Sequence, residues 1–424
     1  MMTRREALLA SGSAVIAAGL GGCGSTKASR SSSRLGAVHD LMAEQVAQDQ
    51  FPGAVWLVVR GEEVVVDCVG VTAIGGSQPM RRDTIFRIAS MTKAITATAV
   101  MMLVEEGRLA LDAPAERWLP ELANRRVLRR LDGPLDDTVP AVRSITVRDL
   151  LDFTLGFGIL FDESLPIQRR IDELQLVNGK PVPMTPHGPD DWMRRFGTLP
   201  LMHQPGERWM YNTGSLLQGV LVARASGQDF VTFMHERILA PLGMRDTGFW
   251  VPPEKLGRFA GCGKFTDPQT AVASRMDADG PQSAYSSRPV FPSGAGGLVS
   301  TVDDYLAFAR MLQNGGAHHR TRLLAEQTVR EMTTNQLTPG QLAASSFFPG
   351  FFDTWGWGYG VGVIRTPDAV SPDPGRYGWF GGFGTSWFND PDRELIGIVM
   401  TQSSDFLFSG ASDAFWQAVY AAIG

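Results

Sequence analysis

Cysteine is scarce, three in 424 residues. Three thiols cannot build a disulfide framework, and the chain has neither a Cys-x-x-Cys pair nor metal-ligand spacing among its six histidines, so no structural zinc site is expected. Positive charge is also short: 39 Lys and Arg against 44 Asp and Glu leave a formal charge of −5, without the basic footprint of a nucleic-acid binder. No apolar run reaches the length of a membrane-spanning helix. There is no fixed-period repeat, no Gly-x-Ser-x-Gly elbow, no His-Glu-x-x-His and no phosphate loop ending in Gly-Lys-Ser/Thr. No metal or organic cofactor is implied. What is abundant is apolar residue, 44% against 20% charged, enough for a sizeable core rather than global disorder. Forty-seven glycines and 26 prolines point to many turns.

The N-terminus reads as an address. Thr3-Arg4-Arg5-Glu6-Ala7-Leu8-Leu9 has the form of a twin-arginine export signal, and the apolar stretch from Ala7 to Leu20 is too short to span a bilayer. Leu20-Gly21-Gly22-Cys23 looks like a bacterial lipobox, which would make Cys23 a lipidated first residue; the plainer alternative is a cleaved signal with an incidental cysteine. The serine-rich stretch Ser25 to Arg34 suits a flexible tether, so residues 1–35 are set apart from the fold. The protein is expected in the periplasm or cell envelope, touching membrane only through a lipid on Cys23. Cys68 and Cys262 are expected as buried thiols.

From residue 36 onward the pattern is that of an α+β domain. Ala54–Val59 and Val64–Val66, punctuated by Gly61-Glu62, read as a hairpin. Ala94 to Val104 is apolar nearly all round, the mark of a buried helix, with Gly107 as its C′ residue. Thr146 and Thr301 are N-cap candidates, each with an aspartate three places on. The proline-rich stretch from Phe157 to Pro205 reads as a long loop, of the kind that forms lids or binding walls. Strand signals return at Trp357–Val363, Gly384–Asn389 and Leu395–Thr401, before a final helix over Ala411–Ile423. Strands at both ends imply one antiparallel sheet flanked by helices (about 36–107 and 291–424), with a mostly helical lobe inserted over about 108–290 and a cleft between them.

The chemistry concentrates at Ser90-Met91-Thr92-Lys93, at the start of the buried helix. Residues three apart share a helical face, so the Ser90 hydroxyl and the Lys93 amine can converge. The helix N-terminus offers unpaired N–H groups suited to an oxyanion. Serine needs a base to become a nucleophile, and Lys93 serves only if burial drives its amine toward the neutral form. The bland alternative is a helix-start serine followed by a solvated lysine, which an otherwise apolar helix disfavours.

Further blocks follow in order. They are Phe86 through Lys93, Ile145 through Leu151, Pro205 through Tyr211, Gly296 through Thr301, and Gly378-Trp379-Phe380-Gly381-Gly382 with Gly384-Thr385. Together they resemble the serine hydrolases related to class C β-lactamases and D-alanyl-D-alanine carboxypeptidases, in particular their esterase branch, over about residues 36–424. The resemblance implies the β-lactamase/transpeptidase-like fold. It makes Tyr211 the catalytic tyrosine that relays the serine proton, its pKa lowered by a cationic Lys93. The backbone N–H groups of Ser90 and Gly382 become the oxyanion hole. Trp379 and Gly381 become substrate-binding residues on the strand edging the cleft.

The chain departs from that pattern in three places. Thr213 stands where an asparagine often lies, with Asn212 one place early as the substrate-binding candidate. Trp379 replaces the lysine of Lys-Thr-Gly, removing a charge that would pair with a carboxylate-bearing substrate. Phe153-Thr154-Leu155-Gly156-Phe157 replaces His-Thr-Ser-Gly-Leu, a change expected to alter packing near the cleft. Met202, Met210, Phe157 and Phe161 are candidates for an apolar acyl pocket, with a core role the readier explanation for each. The expected activity is acyl transfer from a small-molecule ester or amide to water through an acyl-enzyme on Ser90, first as a carboxylesterase. The alternatives are a β-lactamase or D,D-carboxypeptidase/D-aminopeptidase, a transacylase, and a catalytically silent binding protein on the same scaffold.

Overall fold

The computed structural model describes residues 35–177, 182–266 and 272–424; the expected export signal, Cys23 and the tether up to Arg34 lie outside the described residues. The N-terminal hairpin is present as β1 (Gly53–Arg60) and β2 (Glu63–Gly70), paired from Gly53 opposite Gly70 to Arg60 opposite Glu63. β1 is apolar at almost every position because both its faces are covered. Val55, Leu57 and Val59 join the larger core, while Ala54, Trp56 and Val58 join a second core on the opposite face.

Strands from the far end of the chain complete the sheet: β3 (Trp355–Trp357), β4 (Gly362–Ile364), β5 (Tyr377–Gly381), β6 (Thr385–Asp390) and β7 (Leu395–Met400). The order is β3-β4-β5-β6-β7-β1-β2, antiparallel at every pairing. The two ends of the chain thus meet where β7 pairs with β1. The single strand expected over Trp357–Val363 is instead a hairpin, because Gly360 turns the chain at φ +80°. A side chain on Gly360 would collide with Ala97 and the Lys93 carbonyl oxygen, so this turn lies directly on the helix that carries Lys93.

One face of the sheet is covered by α1 (Gly36–Ala47) and the C-terminal α9 (Ala411–Ile423). On the other, α7 (Val302–Gln313) packs on β7 and β1, α2 (Thr92–Glu105) lies in the same core, and α6 (Thr213–Ser226) packs on α2. α2 is buried from Thr92 through Leu103, as its all-round apolar composition requires. The cap expectations hold at both threonines. Thr146 opens α3 (Val147–Leu151) with a reciprocal capping box to Asp149, and the Thr301 side chain accepts from the Asp304 N–H at the start of α7.

The stretch 157–205 is not the continuous loop expected. It contains α4 (Pro166–Glu173) and α5 (Pro189–Gly197), and both begin on a proline. Proline at the first helical position forfeits an N–H that would be unpaired anyway, so residues that read as breakers act here as starters. Cys262 is the buried thiol expected, whereas Cys68, half-buried on β2, is not a free thiol.

Candidate active site

Ser90 sits in a single 3₁₀ turn, Ala89–Met91, that feeds into α2. Ala89 holds φ +41°, a strained conformation for a residue with a Cβ, and its surroundings fix it there. Its side chain is 2% exposed, and the Ile88 N–H donates to the Leu298 carbonyl at 3.1 Å. Arg87, three residues before the serine, is wholly buried against Asp277 at 2.7 Å and also donates to the Ala260 carbonyl, Gln402 and Ser283. Beyond the serine, the Tyr305 hydroxyl donates to the Met91 carbonyl at 3.0 Å, so the turn bearing Ser90 is anchored on both sides.

Lys93 lies in the first turn of α2 and is 0% exposed. Its Nζ is 2.9 Å from Ser90 Oγ and 2.6 Å from the carbonyl oxygen of Ala295. No carboxylate is among the causes acting on it; burial alone pushes its pKa well below the ordinary lysine value. A neutral amine can donate to Ala295 while accepting the Ser90 proton.

Tyr211 completes the group. Lys93 Nζ stands 4.5 Å from the centre of the Tyr211 ring, and the phenol hydrogen-bonds with Ser90. Burial raises the phenol pKa above its ordinary value, and the hydrogen bonds from Ser90 and Trp379 offset only part of that rise. The expected lowering of this pKa by a cationic lysine is thus corrected: the amine beside it is itself driven toward neutrality.

Trp379 is not on the cleft wall as expected. It is 0% exposed, and its indole N–H donates to the Tyr211 hydroxyl at 2.6 Å. Its ring packs against Trp357 (4.7 Å, perpendicular) in an aromatic cluster with Phe153, Trp209 and Tyr211. Phe153, in place of the histidine of the resembled motif, stacks on Trp357 at 4.9 Å. Gly381 is likewise buried, and its missing side chain has a packing reason: a Cβ there would lie 2.2 Å from the Ile88 carbonyl oxygen and 2.4 Å from Thr385 Oγ1. β5 therefore docks directly on the turn leading to Ser90.

Gly382 and Asn212 do reach the cleft, a cavity of about 250 Å³ that Ser90 and Tyr211 also line. The Gly382 carbonyl accepts from Ser404 Oγ, pinning the turn after β5. Asn212 holds φ +85° and ψ −55°, a strained γ-turn closed by the Thr213 N–H donating to the Tyr211 carbonyl at 3.2 Å, while Thr213 itself is 1% exposed. Of the four apolar-pocket candidates, Phe157, Met202 and Met210 belong to the core, and Phe161, 62% exposed, lines the cleft.

Sequence reasoning passed over most of the wall: Phe347, Phe348, Phe380, Leu407 and Phe408. The doubled aromatics of Phe347-Phe348-Pro349-Gly350-Phe351-Phe352, placed in a turn-forming segment, were the available signal. Among the described residues lining this cleft there is no Asp, Glu, Lys, Arg or His.

Three comparisons bear on this arrangement. A model of the family described as Beta-lactamase matches residues 38–422. Protein Rv1367c of Mycobacterium tuberculosis is 40% identical over 356 residues, 82% of this chain and 85% of that one. Esterase EstB of Burkholderia gladioli is 32% identical over 407 residues, 92% of this chain and 95% of that one. Among solved structures, EstCE1, a hydrolase with promiscuous acyltransferase activity, superimposes with a TM-score of 0.75 at 22% identity, over 93% of this chain and 99% of its own.

Proposed function

The chain belongs to the Beta-lactamase family, and on that premise we propose that it is a serine hydrolase of small, uncharged esters, working through an acyl-enzyme on Ser90. The observation that carries the reading is the 2.9 Å approach of a wholly buried lysine amine to the Ser90 hydroxyl, beside a phenol, in a cleft whose described lining residues carry no charged side chain. In this reading Lys93 takes the Ser90 proton as the hydroxyl attacks the carbonyl carbon. The Ser90 and Gly382 N–H groups receive the developing oxyanion; losing one such donor typically costs about 10²–10³ in rate. Tyr211, held neutral by burial, passes a proton to the leaving alcohol and regains one from the Lys93 ammonium beside it, which restores the neutral amine before water releases the acyl group as the acid. Trp379 acts through Tyr211 rather than on the substrate.

The similarity to an esterase supports ester over lactam substrates, and so does the cleft: a β-lactam or peptide carboxylate would meet no cation on the described walls. A transacylase, with an alcohol or amine in place of water, is the second reading, favoured by the likeness to EstCE1, a hydrolase that also transfers acyl groups. The twin-arginine pattern at Arg4-Arg5 and the lipobox at Cys23 support export to the cell envelope with a lipid tether. Competition of p-nitrophenyl butyrate against nitrocefin tests the substrate class. The ester is expected to turn over with nitrocefin nearly inert; preferential hydrolysis of nitrocefin would reverse the assignment.

A further inference from the structure

Phe348, Phe380, Leu407 and Phe408 line the cleft around Ser90, and the same four side chains line a second cavity of about 360 Å³. That second cavity lies between Ser386 and Phe388 of β6 and Ser412, Asp413 and Trp416 of α9, on the sheet face turned away from Lys93. Two cavities with a shared wall are neighbours divided by it. The wall is firmly held. Phe380 belongs to β5, pairs with Ser386 across the ladder and stacks on Trp379 at 4.3 Å. Leu407 and Phe408 come from a short helix, α8 (Asp405–Phe408). The buried Phe406 of α8 packs edge-on against Phe51 at 5.4 Å, and Asp405 accepts from the Thr266 N–H at 2.7 Å. The character of the space changes across the wall. Among the described residues the near cavity has no charged lining side chain, whereas the far one carries Asp368, Arg376 and Asp413, with Arg376 paired to Asp368 at 2.6 Å.

We propose that Phe380, with Leu407 and Phe408, is a specificity-determining residue that closes the nucleophile's cleft against this second cavity and so restricts one arm of the ester to a short, uncharged group. The inference rests on the ester-hydrolase reading and adds a length limit with a location. An arm longer than the near cavity meets aromatic rings; shortening those rings opens a path onto the Trp355, Val370, Phe388 and Trp416 side chains of the second cavity, beside its Asp368–Arg376 pair. In an apolar pocket a single methylene of fit is worth roughly tenfold or more in kcat/KM.

The test uses two ester series on the purified full chain and its variants. One series varies the acyl arm (p-nitrophenyl butyrate against octanoate), the other the alcohol arm (butyl against octyl butyrate). Wild type is expected to prefer the short member of at least one series. In that series Phe380→Ala should raise the long-to-short ratio of kcat/KM roughly tenfold or more, mainly through KM. Phe408→Ala, at a side chain 52% exposed, should move the ratio the same way and keeps the test decisive if Phe380→Ala does not fold. A wild type indifferent to length in both series, or folded variants with unchanged ratios, would overturn the inference. A wild type inert on every ester would instead overturn the ester-hydrolase reading beneath it.

Discussion

Tyr211 holds a phenol whose ionisation is opposed by burial and favoured by its hydrogen bonds with Ser90 and Trp379, the indole of Trp379 donating at 2.6 Å. The Trp379 hydrogen bond fixes where that phenol stands relative to the serine. Trp379→Phe keeps an aromatic ring in the cluster and deletes the donor. Loss of a partner to a buried hydroxyl costs about 1–3 kcal/mol, so kcat on p-nitrophenyl butyrate should fall roughly 10- to 100-fold with a smaller change in KM. A variant at wild-type kcat would mean that the indole merely packs. Ser90 and Lys93 were readable as a pair because they are three residues apart on one helix, where sequence spacing is spatial spacing. Trp379 was not readable as a partner of Tyr211, since its N–H finds an acceptor 168 residues away and no local pattern records that. From the family pattern it stood as a substrate contact, and only its burial corrects this.

Helix α3 is short, but its two ends explain much of the floor beneath the aromatic cluster. Its start was legible, because the Thr146–Asp149 capping box is a local signature. Its end was not. Asp152 is 5% exposed, and burial pushes its pKa up to about 7 although Thr154 donates to it from both Oγ1 and N–H. The next residue, Phe153, takes φ +64° and packs under Tyr211. In the folded chain this carboxyl keeps its proton up to about pH 7, whereas an unfolded aspartate releases it near pH 3.9. Between those values the native state holds more protons, so this group's contribution to stability falls as pH rises and stays lost above the window. Asp152→Asn retains an acceptor for Thr154 and removes the titration. Urea unfolding should show a variant more stable than wild type at pH 8, by on the order of a few kcal/mol, with the difference shrinking toward pH 4. A difference independent of pH would mean that Asp152 does not titrate in this range. The same limit of legibility applies to α4 and α5, where composition flagged proline but could not say on which side of a helix boundary each proline falls.

The active-site arrangement depends on the chain closing on itself. β7 pairs with β1, so the C-terminal strands bring Gly382 to the cleft at Ser90, nearly 300 residues earlier in the chain. The single antiparallel sheet was legible because its strands are apolar runs at both ends of the sequence. The aromatic wall was not, since it is assembled from the Phe161 segment, the Phe347-Phe348 turn, β5 and α8, each ordinary when read alone. At this scale the protein is a member of the Beta-lactamase family in which a buried amine lies beneath a cleft whose described walls carry no cation. The most direct test is to treat the wild-type protein and Ser90→Ala with a fluorophosphonate probe and map the adduct by peptide mass spectrometry, alongside turnover of p-nitrophenyl butyrate. The account predicts one adduct, on the peptide containing Ser90, and no adduct and no turnover in a Ser90→Ala protein that remains folded. An adduct on another residue, or hydrolysis by Ser90→Ala near the wild-type rate, would contradict it.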